Sequence, residues 1–305
     1  MDFKLPQHLH VVDKLTLFMT LANADGSNAW EADQSTPFWT RRIEIRQGGE
    51  VVQTIESLDS YLRQTVFKSE LEQFHNEARS GIDASTLQAD TGVLTVAASS
   101  SAEFSLDIES LLDQCNIYVA GLSKEITVRV YLENIANFSD SAENADITLS
   151  SAKLRIREQN YSQPDTARFD KNYAGAVDHR FVDCLVETTT QTLSASTNNK
   201  YITQNFDNEM SPVQFIVVRD MSDIDQNSDA FVQISTVHRE DQSGQNLENG
   251  IVHSDADLRN FVYPQYFGHN KMSQVSSGNK YVYALVSALD PVSAVKKGIN
   301  SGYNV

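Results

Sequence analysis

The sequence predicts an all-β protein with short helical insertions, built as two β-sandwiches in tandem. Three observations predict this. Apolar, strand-like segments alternate with polar loops along most of the chain. At 305 residues the chain has room for two cores of ordinary size. A hairpin followed at once by a capped helix occurs in each half, which reads as an internal duplication.

The elements follow in order. KLTLFMTLA (14–22) reads as a well-buried strand. FWTRRIEIRQ (38–47) and EVVQTI (50–55) flank Gly48-Gly49, a dipeptide that tolerates the positive φ of a primed two-residue turn. Such a loop sets Ile45 opposite Val52 and Ile43 opposite Thr54 on a core face, with Arg42, Glu44 and Arg46 turned away. Ser57 caps a helix in which Leu58, Tyr61, Leu62 and Val66 recur at helical spacing. A second helix begins at the capping box of Ser69 and Glu72, buries Leu71, Phe74 and Ala78, and ends at Gly81. Strand-like segments resume at GVLTVAA (92–98), AEFSLDI (102–108), NIYVAG (116–121), EITVRVYL (125–132) and DITLSSAKLRIR (146–157).

The stretch 158–175 is polar, carries Pro164 and shows no sustained period, so the linker is placed there. The predicted units are residues 1–163 and 164–305. In the second unit, 181–193, 200–206, 213–219, 230–238 and 280–289 are strand-like. There Gly244 follows a strand and Ser254 caps a helix, as Gly48 and Ser57 do earlier. After Leu289 no strong final strand is visible, which leaves the second unit short of one.

Composition narrows the function. Asp and Glu number 41 against 24 Lys and Arg, a net charge of −17. That opposes general binding to nucleic-acid phosphates, so no direct nucleic-acid contact is expected. No uncharged apolar run approaches the ~20 residues of a bilayer-spanning helix. The N-terminal stretch lacks the apolar core of a signal peptide, and a protein made and kept in the cytoplasm, or assembled there, is expected. Cys115 and Cys184 sit in apolar surroundings and read as buried thiols, with a bridge between the halves as the alternative.

The stretch RRIEIRQGGEVVQTIESLDSYL (41–62), followed by AEFSLDIESLLD, EITVRVYLEN and ITLSSAKLRIRE, resembles the double jelly-roll major capsid proteins of membrane-containing icosahedral viruses. The likeness is to the corticovirus and tectivirus type, and the length is similar to the small bacteriophage members, the lipid-containing phage of Flavobacterium among them. The resemblance implies two jelly-roll sandwiches per chain and no enzymatic activity. It implies a homotrimer that forms a pseudo-hexameric capsomer of an icosahedral virion shell around an internal membrane. Implied partners are neighbouring capsomers, other capsid proteins such as a vertex penton, and membrane lipid; Lys296 and Lys297 read either as contacts to its anionic head groups or as part of a solvated tail.

Chemical motifs are sparse. Asp223, Asp225, Asn227 and Asp229 alternate like the start of a calcium loop, which makes calcium the candidate cofactor. Ser228 stands where such a loop needs Gly, and Ile234 where it needs a bidentate Glu. His8 and His10 have the alternation of a metal-binding strand but no third ligand nearby. His75, His179, His238, His253 and His269 are scattered with no nucleophile pattern. Asp107 and Glu109 form a carboxylate pair of the kind glycosidases use, and such pairs arise by chance in so acidic a chain. Asn137 and Asn160 fit the glycosylation sequon, without a secretory route to give it meaning. Aromatic-rich 36–42 and 263–270 fit either partner contact or packing. The alternative functions are a β-sandwich surface module, carbohydrate-binding or adhesin-like, and a β-rich hydrolase.

Overall fold

Alternating burial along one long strand sets the frame. In the computed structural model, which describes residues 1–32, 34–65, 80–81, 94–139, 141–173, 186, 190, 192, 213–218, 231–238, 253–257 and 283–286, β2 spans Val11–Asn23. Leu15, Leu17, Met19 and Leu21 are buried on one face, while Lys14, Thr16, Phe18 and Thr20 are half-exposed on the other. β2 is the centre of a three-stranded antiparallel sheet, between β7 (Ser101–Ile108) and β9 (Ile147–Gln159).

The opposing sheet has the order β1-β8-β4-β5, from β1 (Asp2–Lys4), β8 (Ile126–Leu132), β4 (Thr40–Gln47) and β5 (Glu50–Glu56). Ile43, Ile45, Ile55, Val128 and Val130 meet Leu15, Leu17, Leu106 and Ile108 in one apolar core. That is a sandwich, with the inward residues of the two facing sheets buried between them except along β9. A two-stranded piece, β3 (Trp30–Ala32) with β6 (Leu94–Val96), closes one end. β1 and β3 are three residues long and were not legible in the sequence pattern. β6 is shorter than the predicted 92–98 segment, of which 94–98 are described.

The hairpin forms as expected at its tip and differs beyond it. Gly48 and Gly49 have φ of 58° and 93°, the primed turn that only glycine adopts without strain. A bulge then leaves Val52 unopposed, so Ile45 faces Gln53 and Ile43 faces Ile55. The predicted pairs with Val52 and Thr54 are therefore one residue out of register. The bulge leaves Val51 and Val52 exposed and turns Gln53 and Ile55 into the core.

Two further expectations are corrected. NIYVAG is not a strand: it holds one isolated bridge, Val11 to Tyr118, and a short 3-10 turn over Val119–Gly121. Its amides at Val119 and Ala120 instead donate to the carbonyls of His10 and Leu9. The predicted linker region opens with the last residues of β9 and then forms α3, Gln163–Tyr173. Pro164 occupies the first turn, where its missing N–H costs nothing, and Ser162 Oγ bonds Asp165.

In the second half, β10 (Val213–Ile216) pairs with β13 (Tyr283–Val286), and β11 (Thr236–Val237) with β12 (His253–Ser254). Of the described residues in the predicted 230–238 strand, Thr236 and Val237 are in a ladder and Phe231 in a single bridge. Ser254 does cap the helix that starts at Asp255: its Oγ accepts from the Asp257 amide and bonds the Asp257 carboxylate. Gly244, and the capping box of Ser69 and Glu72, lie outside the described residues.

Candidate assembly surfaces

Helix α1 (Ser57–Thr65) follows the hairpin directly and is enclosed rather than amphipathic. Tyr61 and Leu62 are buried as predicted, but so are Asp59, Ser60, Arg63 and Gln64. Enclosed polar groups need partners, and each of these residues has at least one hydrogen bond. Arg63 Nε donates to Asp59 Oδ1 at 2.7 Å, one helical turn away. Gln64 Nε2 donates to the Asp107 carbonyl at 2.9 Å. Tyr61 sits 5.0 Å from the Phe38 ring and 6.3 Å, edge-on, from Phe231. Phe231 comes from the second half and is 2% exposed, so α1 is one place where the two halves of the sequence touch.

The aromatic stretch 36–42 is mostly core. Thr36–Trp39 forms a buried 3-10 turn, and Trp39 packs on Trp30, Phe104 and Phe138. Arg41 and Arg42 alone of that stretch reach solvent. The partner reading for 36–40 therefore gives way to packing; 263–270 lies outside the described residues.

The outer face of the four-stranded sheet carries a ladder of charges. Asp2 takes a two-point contact from Arg129, with both bonds at 2.6 Å. Arg129 lies opposite Glu44, which takes Arg42 Nε at 3.1 Å and Tyr131 Oη at 3.3 Å. Arg42 stacks over the Tyr131 ring at 4.4 Å. Arg129 bonding holds the Asp2 carboxyl below its ordinary value, and the Arg129 guanidinium is raised in turn, by Asp2 first. Glu44, on the face expected to meet solvent or a neighbour, is only 6% exposed and is roofed by its neighbours.

The sequence's chemical candidates resolve into structure. His10 Nδ1 accepts from the Tyr161 amide at 3.0 Å, and its ring stacks with Tyr161, while His8 is exposed. No group of three metal-ligating side chains occurs among the described residues. Asp107 is buried and matched by Lys14 at 2.6 Å and Thr16 at 2.8 Å, an arrangement that holds strands together. The calcium candidate Asp223, Asp225, Asn227 and Asp229, the thiol Cys184, and Lys296 and Lys297 lie outside the described residues. Cys115 is half-buried, and burial pushes its thiol up. Among the described residues no helix is long and apolar enough to cross a membrane.

One carboxyl is out of its usual range. Asp113 closes a capping box on the short helix α2 (Leu111–Gln114), accepting from the Ser110 amide at 2.6 Å. Burial pushes it up to about 6, against those bonds and with help from Glu109. Because the folded value exceeds the ordinary 3.8, the native state binds the extra proton, and stability falls as pH rises from about 4 to 6. Asp113→Asn keeps an acceptor oxygen and removes the charge. It is expected to abolish that decline and to gain ~1 kcal/mol at pH 7, discounted for partial exposure. Melting curves at pH 4.5 and 7 check this, and a variant less stable than the parent at pH 7 would refute it.

No protein-family profile matches the chain, and no curated protein does. Solved structures do. The crystal structure of PBCV-1 VP54 fitted into a cryo-EM reconstruction of the virophage Sputnik aligns at a TM-score of 0.65 and 12% identity, over 95% of this chain and 74% of that one. A quasi-atomic model of the PBCV-1 virus capsid aligns at 0.61 and 12% identity, with the same coverage. These neighbours are double jelly-roll viral major capsid proteins. The chain has the double jelly-roll fold.

Proposed function

We propose that this protein is a structural subunit of a viral shell, a major capsid protein without catalytic activity. The carrying observation is the double jelly-roll alignment across 95% of the chain. Fold alone does not assign function, so the support must also come from the surfaces. The buried carboxylate Asp107 is matched by Lys14 and Thr16, and Glu44 by Arg42 and Tyr131. Strand-on-strand cores make a rigid block, and α1 ties in the second half through Phe231.

The unit of assembly is a homotrimer whose six rolls, from residues 1–163 and 164–305 of each copy, form a pseudo-hexameric capsomer. Capsomers meet one another and a vertex protein in an icosahedral bacteriophage virion of the corticovirus and tectivirus type, assembled in the host cytoplasm. The net charge of −17 fits a coat separated from its genome by a membrane. Calcium at Asp223, Asp225, Asn227 and Asp229 would join subunits if it binds. Light scattering on purified protein is expected to give three times the 34.0 kDa chain mass, with three-fold particles in negative stain. A monomer that persists at high concentration would overturn the proposal.

A further inference from the structure

The three-stranded sheet has two edges, and the chain treats them differently. The β7 edge is covered: Thr36 Oγ1 bonds the Ser105 carbonyl at 2.9 Å, and Gln64 Nε2 bonds the Asp107 carbonyl at 2.9 Å. Among the described residues nothing covers the β9 edge. β9 is 13 residues long, about 43 Å of extended chain, and among the described residues it pairs with β2 alone. None of its 13 residues is buried. Its inward-facing Leu154 and Ile156 are only partly covered, and Leu149 is 36% exposed. A bulge at Ser150 interrupts the edge near its start, so the stretch open to a further strand is 151–159, where Lys and Arg decide what can lie beside it.

The charges on this edge select what it recruits. Lys153 and Arg155 are exposed and have no acidic partner among the described residues, while Arg157 pairs with Asp13. On a chain of net charge −17 this is a local cationic lane. Two β9 edges laid against each other with Lys153 and Arg155 in register would set cation against cation, which disfavours a two-fold β9–β9 contact. An acidic extended segment is favoured instead, and a second copy of this chain supplies acidic residues in excess.

The geometry points to β9 as the receiving edge of a head-to-tail contact, at which an acidic extended segment of a second copy adds a strand. This rests on the capsid proposal. A head-to-tail contact has the directionality that a closed ring of three requires, whereas a two-fold contact ends at a dimer.

Hydrogen exchange across 147–159, measured on the full chain above and below its assembly concentration, tests the inference without a substitution. Edge amides of β9 are expected to slow by ~10-fold or more on assembly. Lys153→Glu with Arg155→Glu is expected to leave the melting temperature in place and to shift the assembled mass toward one chain. Unchanged exchange in an assembled protein would overturn the inference and leave the capsid proposal standing, whereas a parent that never assembles removes both. Binding of the lane to anionic phosphatidylglycerol vesicles, with unchanged exchange on assembly, would assign it to lipid and also overturn the inference.

Discussion

Trp39→Ala is expected to cost about 3–5 kcal/mol, enough to leave little folded protein at physiological temperature if total stability is ordinary. Trp39 is 2% exposed and lies where the 3-10 turn enters β4. Its ring is 5.0 Å from Phe104 on β7, 5.3 Å from Phe138 and 5.9 Å from Trp30 on β3. Its indole Nε1 donates to the Gln34 carbonyl at 2.8 Å. Truncation therefore opens a cavity at the meeting point of three elements and leaves the Gln34 carbonyl without that donor, and the two costs add. Val52→Ala is the internal control. Val52 sits on the bulge of the same hairpin at 42% exposure, and its loss is expected to fall within ~0.5 kcal/mol. Urea midpoints for the two variants and the parent decide the matter; similar midpoints for Trp39→Ala and Val52→Ala would show that the ring cluster does not hold the sandwich.

What was legible in the sequence follows how local its cause is. β2, β4, β5, β7, β8 and β9 announce themselves, because alternation and β-branched residues act within a single strand. The Gly48-Gly49 turn is equally local, since positive φ at both positions is a property of the dipeptide. The bulge at Val52 is not local. Both registers keep the same turn, and the one adopted points Gln53 inward, where its Oε1 accepts the Leu111 amide at 2.8 Å. That partner lies 58 residues away, beyond the reach of any hairpin rule. NIYVAG failed for a related reason. A short apolar run fits a strand, but its amides are claimed by the Leu9 and His10 carbonyls before any ladder forms. In 158–175, Phe169 stacks on Tyr118 at 5.3 Å, and this tertiary contact steadies a helix whose own period is weak.

The surfaces were less legible than the core. Glu44 alternates with Ile43 and Ile45, so pattern alone turns it to solvent, yet its burial is made by Arg42 and Tyr131, the latter on a different strand. The uncovered edge of β9 needs the whole sheet order before it is visible, since only pairing reveals which strand lies outermost. Overall likeness to capsid subunits was legible early because it rests on the order of elements, which survives when individual residues do not. At 12% identity, order is most of what remains in common.

Arg63→Met is expected to lower stability by about 3–5 kcal/mol, and the double change Asp59→Leu with Arg63→Met to recover most of that loss. Both side chains lie almost wholly inside, at 7% and 5% exposure, and the bond between them is 2.7 Å. Removing the guanidinium takes a charged partner at 2.7 Å from a carboxylate that is only 5% exposed, where a less well compensated charge is costly. Removing both groups leaves a helix whose Tyr61 still packs on Phe38 and Phe231, for which burial is favourable. The asymmetry between single and double variants is the informative quantity, because it separates the value of the charges from the value of the helix. If the double variant melts as the parent does but assembles in a mixture of sizes, the pair acts on how α1 is seated between the halves. If single and double variants lose the same stability, desolvation of a stranded charge is not the cost, and the contribution of α1 lies in its packing alone.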